Sequence, residues 1–316
     1  MPSVSSTAGG DLLLIVGPTA VGKTSLSLKL AEEFRGEILS GDSMQVYRYL
    51  DIGTAKASPE ELARVPHHLI DLLEPDESFS VDQFQCLARR TIREVQERGH
   101  LPMIVGGTGL YIQAITHGYQ MPDVKADATF RREMEAFADR EGNASLHAKL
   151  VDRDAKAAAR LHPNDRRRII RALEIIRGTG KTLDEVQRRK PSPYRTCWIG
   201  LTRPREQLYD RINRRVDQMM KHGLLQEVAA LKRMGYTRTL VSMQALGYKE
   251  LMLHLEGELS LDEAVSLIKQ RTRKFAKRQL SWFRRLPEIH WFDVTREGAY
   301  REIRERIAGN FPQSKE

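Results

Sequence analysis

The eight residues Gly17-Pro18-Thr19-Ala20-Val21-Gly22-Lys23-Thr24 constrain this chain more than any other feature. They fit G-x-x-x-x-G-K-[ST] at every fixed position, a pattern that average composition would produce in roughly one percent of chains this size. The run Asp11 to Val16 before them reads as a buried strand, and Leu26, Leu30 and Phe34 recur every four positions in the helix predicted after them. Such a strand, turn and helix make backbone N–H groups converge at a helix N-terminus, where phosphate oxygens bind. Lys23 adds a point charge, and the Thr24 hydroxyl suits Mg²⁺. The pattern therefore predicts a ligand with at least two phosphates.

Further along, Glu37 to Ser40 reads as a second strand ending near Asp42, Ser80 as the N-cap of a helix reaching Arg98, and Leu101 to Val105 as a third strand. Strands alternating with helices predict a parallel sheet with ligands at its carboxyl edge. From about Pro122 to Pro193 only helical patterns appear, broken at Gly142, His162-Pro163 and Gly178-Gly180. Strand patterns resume at Thr196 to Leu201 and again at Ile289 to Phe292, with helices between. The expected fold is α/β, a P-loop NTPase-like parallel sheet flanked by helices with an all-helical insertion domain. Its expected parts are a disordered tail at 1–10, a core built from 11–121 and 194–316, and an insertion at 122–193.

Charge narrows the class of partner. The formal balance of +9 is uneven: residues 153–190 hold twelve Lys/Arg against five Asp/Glu, and residues 269–285 hold eight against none. The rest of the chain is net acidic, so the two segments read either as solvated helix faces or as the footprint of a polyanion. Within the second segment Phe275, Trp282 and Phe283 recur at helical spacing and are expected to anchor the core. No apolar run approaches the ~20 residues of a membrane span, and no export signal is visible, so a cytoplasmic protein without a membrane partner is expected. Cys86 and Cys197 lie outside any C-x-x-C pair and are expected to be buried thiols.

Two acidic positions bear on chemistry. A typical P-loop NTPase carries an Asp at the end of an apolar strand to support Mg²⁺. Here Leu101 to Val105 runs into Gly106-Gly107-Thr108 instead, and only Leu69-Ile70-Asp71 offers a short substitute. Asp42-Ser43-Met44-Gln45 follows the second strand on the P-loop side; Asp42 there is either a proton acceptor, a helix cap or a water-linked Mg²⁺ ligand. His67, His68 and Asp71 suggest either a metal pair or an ordered loop.

Taken with their order, GPTAVGKT at 17–24, DSMQVYR at 42–48, GTAK at 53–56, PHHLID at 66–71 and VGGTGLY at 105–111 resemble the core blocks of the tRNA dimethylallyltransferases. HPNDRRRIIRALE at 162–174, LYDRINRRVDQM at 208–219, ALGYKE at 245–250 and KRQLSWFR at 277–284 continue the likeness. That family moves a dimethylallyl group from dimethylallyl diphosphate to N6 of the adenosine 3′ to certain anticodons. The resemblance implies that residues Gly17 to Thr24 hold a prenyl diphosphate with Mg²⁺ at Thr24, although such proteins are commonly described as ATP-binding. It further implies catalytic roles for Lys23, Arg215 and Asp42, with Asp42 taking the proton from the amino group. By the same likeness the tRNA anticodon stem-loop meets Asp42, Ser43, Met44, Gln45, Thr108, Arg131, Arg167, Arg168, Ile169, Ile170 and Arg171, with Gln45 bonding an adenine edge. Arg132 is the alternative to Arg131, because ADATFRRE departs from the family spacing by about one residue. The enzyme is expected to be a monomer. Two rival readings, a small-molecule kinase and a non-catalytic nucleotide-regulated RNA-binding protein, explain the P-loop or the charge but not both.

Overall fold

The computed structural model describes residues 9–117, 124, 126–186 and 192–311. The chain divides into two compact units, one from residues 1–116 with 193–316 and one from 117–192. Most of the expected tail, the boundary at Pro122 and the basic stretch 187–190 lie outside the described residues.

In the first unit the chain runs through β1 (Gly9–Val16), α1 (Lys23–Glu33), β2 (Gly36–Gly41), α2 (Pro59–Arg64), β3 (His67–His68), α3 (Val81–Glu97), β4 (Leu101–Gly106) and α4 (Gly109–Thr116). The second unit holds α5 (Ala128–Glu141), α6 (Asn143–Val151), α7 (Ala155–Ala159), α8 (Arg166–Thr179) and α9 (Leu183–Val186). The first unit then resumes with β5 (Tyr194–Thr202), α10 (Arg205–Lys221), α11 (Leu224–Arg233), α12 (Tyr248–Leu255), α13 (Leu261–Phe283), β6 (His290–Asp293) and α14 (Ala299–Asn310).

All pairings in the sheet are parallel, in the order β3-β2-β4-β1-β5-β6. Strand β1 reads as an unbroken apolar run because both of its faces are covered. Leu13 and Ile15 pack with Leu28, Leu30, Ile212 and Ile307 on one side, while Leu12, Leu14 and Val16 pack with Phe84, Ile92, Ile112 and Phe283 on the other. This is the two-residue alternation of a strand between two helical layers. The connection after β1 passes outward beyond β4 to β2, whereas the chain from β4 returns to the other side of β1 as β5. The crevice at the carboxyl ends of β1 and β4 is therefore the topological switch point, where ligands of such sheets bind. A third cluster joins Val46, Tyr47 and Leu50 to Leu224, Val228, Tyr248, Leu251 and Ile268, so the segment after β2 rests on α11 to α13.

The second unit has its own core of Phe130, Leu146, Leu150, Ile169, Ile170 and Leu173. Ile169 and Ile170, expected to touch tRNA, are 0% and 3% exposed. They face inward because α8 is amphipathic and both fall on its apolar stripe. Glu174 is buried in the same unit and accepts from Arg131 Nε and Nη2 at 2.9 and 2.8 Å, from Arg171 Nη1 at 2.5 Å and from the Asp127 N–H at 2.7 Å. Burial opposes its ionised form, but these donors outweigh burial and hold its carboxyl down at about 2. Arg131 and Arg171 are thus structural partners within this unit, while Arg167 and Arg168 stand exposed. Cys197 is buried as expected; Cys86 is exposed, on the outer side of α3, a departure that follows from its place one residue beyond the buried Phe84-Gln85 pair.

Candidate active site

The P-loop leaves β1 through two positions that need glycine. Gly17 has φ 147° and a Cβ there would lie 2.7 Å from the Leu201 carbonyl of β5; Gly22, at the head of α1, has φ 121°. Lys23 Nζ donates to the carbonyls of Gly17 and Pro18 at 2.9 and 2.8 Å, folding the side chain back over the loop. Burial, with repulsion from Arg215, lowers its pKa to about 7 against an opposing pull from Asp42. Arg211 Nε donates to the Ala20 carbonyl at 2.9 Å, and the Thr19 N–H donates to Gln279 Oε1 at 2.8 Å. The loop is therefore held from α10 on one side and α13 on the other.

Above the loop lies a cavity of about 820 Å³. Its lining includes Thr19, Ala20, Gly22, Lys23 and Thr24 from the P-loop, Ser40, Asp42 and Gln45 from the end of β2, and Arg211, Arg214 and Arg215 from α10. Asp42 Oδ1 accepts from the Met44 N–H at 2.9 Å. Burial raises the Asp42 pKa, and the Met44 bond together with Lys23 and Arg215 pulls the other way. Arg215 is itself lowered by burial, supported by Asp42 and opposed by Arg211. The Asp42 carboxylate thus shares one cavity with a lysine and an arginine that each act on its charge.

Thr108 orders the turn that carries Asp42. Its N–H donates to the Gly41 carbonyl at 3.1 Å, and its Oγ1 accepts from the Ser43 N–H at 3.2 Å. Gln45 is committed to the protein: its Oε1 accepts from Ser40 Oγ at 2.7 Å and its Nε2 donates to the Thr54 and Ala55 carbonyls at 3.2 Å each. The role this geometry supports is to hold the 51–57 wall of the cavity, not to read an adenine edge. That wall is also fixed from behind. The Glu227 carboxylate accepts from the N–H groups of Asp51, Ile52 and Gly53 and from the Tyr248 hydroxyl. Lys56 bridges Asp51 and Asp71 at 2.5 and 2.6 Å.

The remaining sequence candidates resolve as follows. Asp71 is the partner of Lys56 and does not line the main cavity, so it is no substitute for the missing acidic strand end. His68 Nε2 and His100 Nδ1 lie 2.6 and 2.7 Å from Glu37, and His67 Nδ1 lies 2.8 Å from the Val65 carbonyl. No group of three or more His, Cys, Asp or Glu able to hold a metal occurs among the described residues. The exposed Thr24 hydroxyl on the cavity wall fits a magnesium ion that takes its other oxygens from phosphate and water, the usual way this ion is held. Phe283 is core as expected, but Phe275 lines the cavity.

Sequence reasoning missed Arg203, Arg211 and Gln279. Arg211 had a signal, since it stands one helical turn before Arg215 and shares its face. Gln279 had only its place in the KRQLSWFR block, because its partner Thr19 is 260 positions away.

A phosphate loop at the switch point of a parallel sheet, facing a lysine, arginines and the half-buried Asp42 carboxylate, defines a P-loop α/β protein that can hold a phosphorylated ligand beside a proton acceptor. The chain belongs to the IPP transferase family, whose model matches residues 45–286. It is 54% identical over 287 residues to the tRNA dimethylallyltransferase of Halalkalibacterium halodurans, covering 90% of this chain and 91% of that protein. It is 52% identical to that of Carboxydothermus hydrogenoformans over 94% of this chain and 96% of the other. The crystal structure of a full-length tRNA isopentenylpyrophosphate transferase from Bacillus halodurans matches with TM-score 0.73 at 50% identity, covering 96% of this chain and 97% of that one. A eukaryotic dimethylallyltransferase acting on tRNA matches with TM-score 0.80 at 29% identity, over 97% and 80% of the two chains.

Proposed function

We propose that this enzyme transfers a dimethylallyl group from dimethylallyl diphosphate to N6 of the adenosine 3′ to the anticodon of tRNA. The observation that carries the reading is the opposition, in one cavity, of Asp42 to Lys23 and Arg215 beside the P-loop. The diphosphate lies on the P-loop amides between Ala20 and Thr24, the Thr19 N–H being held by Gln279 and Pro18 having none, and Lys23 exchanges the loop carbonyls for phosphate oxygens. As the allylic C1–O bond breaks, Lys23, Arg215 and the amides absorb the negative charge gathering on the leaving diphosphate. The N6 lone pair forms the new C–N bond, and the proton lost from N6 passes to the Asp42 carboxylate. Magnesium at Thr24 would supply further charge neutralisation on the diphosphate.

To reach N6 the target base must leave the anticodon stack; the Met44 N–H bonds the carboxylate it would approach, and Thr108 holds the adjoining Ser43 N–H. Arg167 and Arg168, exposed on α8, are free of the buried Glu174 network and suit phosphates of the anticodon stem-loop.

The test is single-turnover transfer from radiolabelled dimethylallyl diphosphate to bulk tRNA, with ATP in a parallel reaction. The expected outcome is tRNA labelling, no ATP hydrolysis, and a loss of about two to four orders of magnitude in Asp42→Ala with tRNA binding retained. Stoichiometric tRNA-stimulated ATP hydrolysis without labelling would overturn the function, and near-normal transfer by the variant would remove Asp42 as the base.

A further inference from the structure

Gln279 is a single side chain that touches both the P-loop and the turn leading to Asp42. It projects from α13, is 6% exposed, and lies between the P-loop and the turn joining β4 to α4. Its Oε1 accepts from the Thr19 N–H at 2.8 Å, and its Nε2 donates to the Gly107 carbonyl at 3.1 Å. From Gly107 the path runs directly to the base, since Thr108 binds both the Gly41 carbonyl and the Ser43 N–H that flank Asp42. The diphosphate cradle and the carboxylate stand at the ends of different strands, β1 and β2, with β4 between them.

A carboxamide of this length meets both demands, because one planar group offers an acceptor to an N–H and a donor to a carbonyl. A glutamate would set an oxygen against the Gly107 carbonyl, and a serine would be too short to span the gap. Gly107 is shaped to the bridge as well: a Cβ there would fall 2.0 Å from Gln279 Nε2, while its next contact outside that side chain, the Gly17 carbonyl, would be at 3.5 Å.

We propose that Gln279 is a positioning residue which fixes the separation between the diphosphate cradle and Asp42, and so acts on the transfer step more than on the binding of either substrate. The proposal rests on the transfer reaction inferred above. An alkyl transfer requires the nucleophile, the allylic carbon and the leaving oxygen to align, and a displacement of about 1 Å from that arrangement costs on the order of a hundredfold in rate.

Two variants break the bridge from opposite ends. Gln279→Met keeps length and apolar bulk without either hydrogen bond. Gly107→Ala pushes away only the far end of the flexible Gln279 side chain, so the fold tolerates it. Single-turnover transfer should fall about 10- to 100-fold in each. The double variant should be no slower than the singles, because one bridge is lost only once. Inorganic diphosphate and tRNA dissociation constants should each stay within about threefold of wild type, since each half of the site survives. Unchanged transfer in both variants, additive losses in the double variant, or a loss lying wholly in one substrate's dissociation constant would overturn the proposal. A wild-type enzyme that transfers nothing would instead remove the reaction on which it rests.

Discussion

Lys23 has two competing sets of partners, the carbonyls of its own loop and the phosphate oxygens it is built to meet. With its pKa lowered to about 7 by burial and Arg215, the ammonium is only partly charged at neutral pH when no anion is present. A bound diphosphate stabilises the ammonium and moves the pKa back toward 10.5, so binding above about pH 7 draws a proton from solvent. The sign follows: the affinity contributed by the Lys23 charge is fully present below about pH 7 and is lost as pH rises from there toward 10.5. Calorimetry of diphosphate binding at pH 8 in two buffers of different ionisation enthalpy should show proton uptake in the wild type that is missing in Lys23→Met. Equal uptake in the two proteins would assign the proton elsewhere. Lys23 and Asp42 were legible in the sequence because each belongs to a short local pattern with its own chemistry. Gln45 was legible as a site residue but not in its role, since the carbonyls of Thr54 and Ala55 that occupy it come from a separate loop.

The elements themselves were legible where they carry a strong period. Strands β1 and β4 carry continuous apolar runs, β5 carries a shorter one at its centre, and Ser80 caps α3 as its spacing to Gln83 suggests. What pins the left side of the sheet was not legible. Glu37 on β2 is 3% exposed and is held by Arg98 at the end of α3, His68 on β3 and His100 just before β4. Burial penalises the ionised carboxyl, yet the three donors more than offset this and hold its pKa down at about 2. A depressed carboxylate contributes stability that is fully present above the unfolded value of 4.5 and is lost as pH falls toward 2. Glu37→Gln should therefore lower unfolding free energy by about 3 kcal/mol at pH 7, and the gap to wild type should close between pH 4.5 and 2. Urea denaturation across that range checks it; a gap independent of pH would mean that Glu37 contributes shape and not charge.

At the scale of the molecule, the change from alternating strands to helices alone marked the insertion, but charge did not distinguish ligand-facing from structural arginines. In the helical unit Arg131 and Arg171 neutralise the buried Glu174, whereas the Arg167 and Arg168 side chains have no such duty. Substituting Arg167→Ala/Arg168→Ala should leave the melting temperature and diphosphate affinity unchanged and make the plot of log tRNA affinity against log salt shallower by about one to two units. Arg171→Ala should instead lower the melting temperature, because it leaves part of a buried charge unmatched. An unaltered salt slope in the double variant would move the RNA contact to the basic stretch 269–285. The order of the chain has one more consequence. Gly9 of β1 pairs with Tyr194, and the amide of Thr19 waits for Gln279, 260 residues later. On a ribosome adding about 5 to 20 residues per second, the first strand spends roughly 15 to 50 s without the partner that steadies its loop. The loop is thus made long before the side chain that sets its distance from Asp42, and the apolar strand that carries it needs shelter while synthesis runs on.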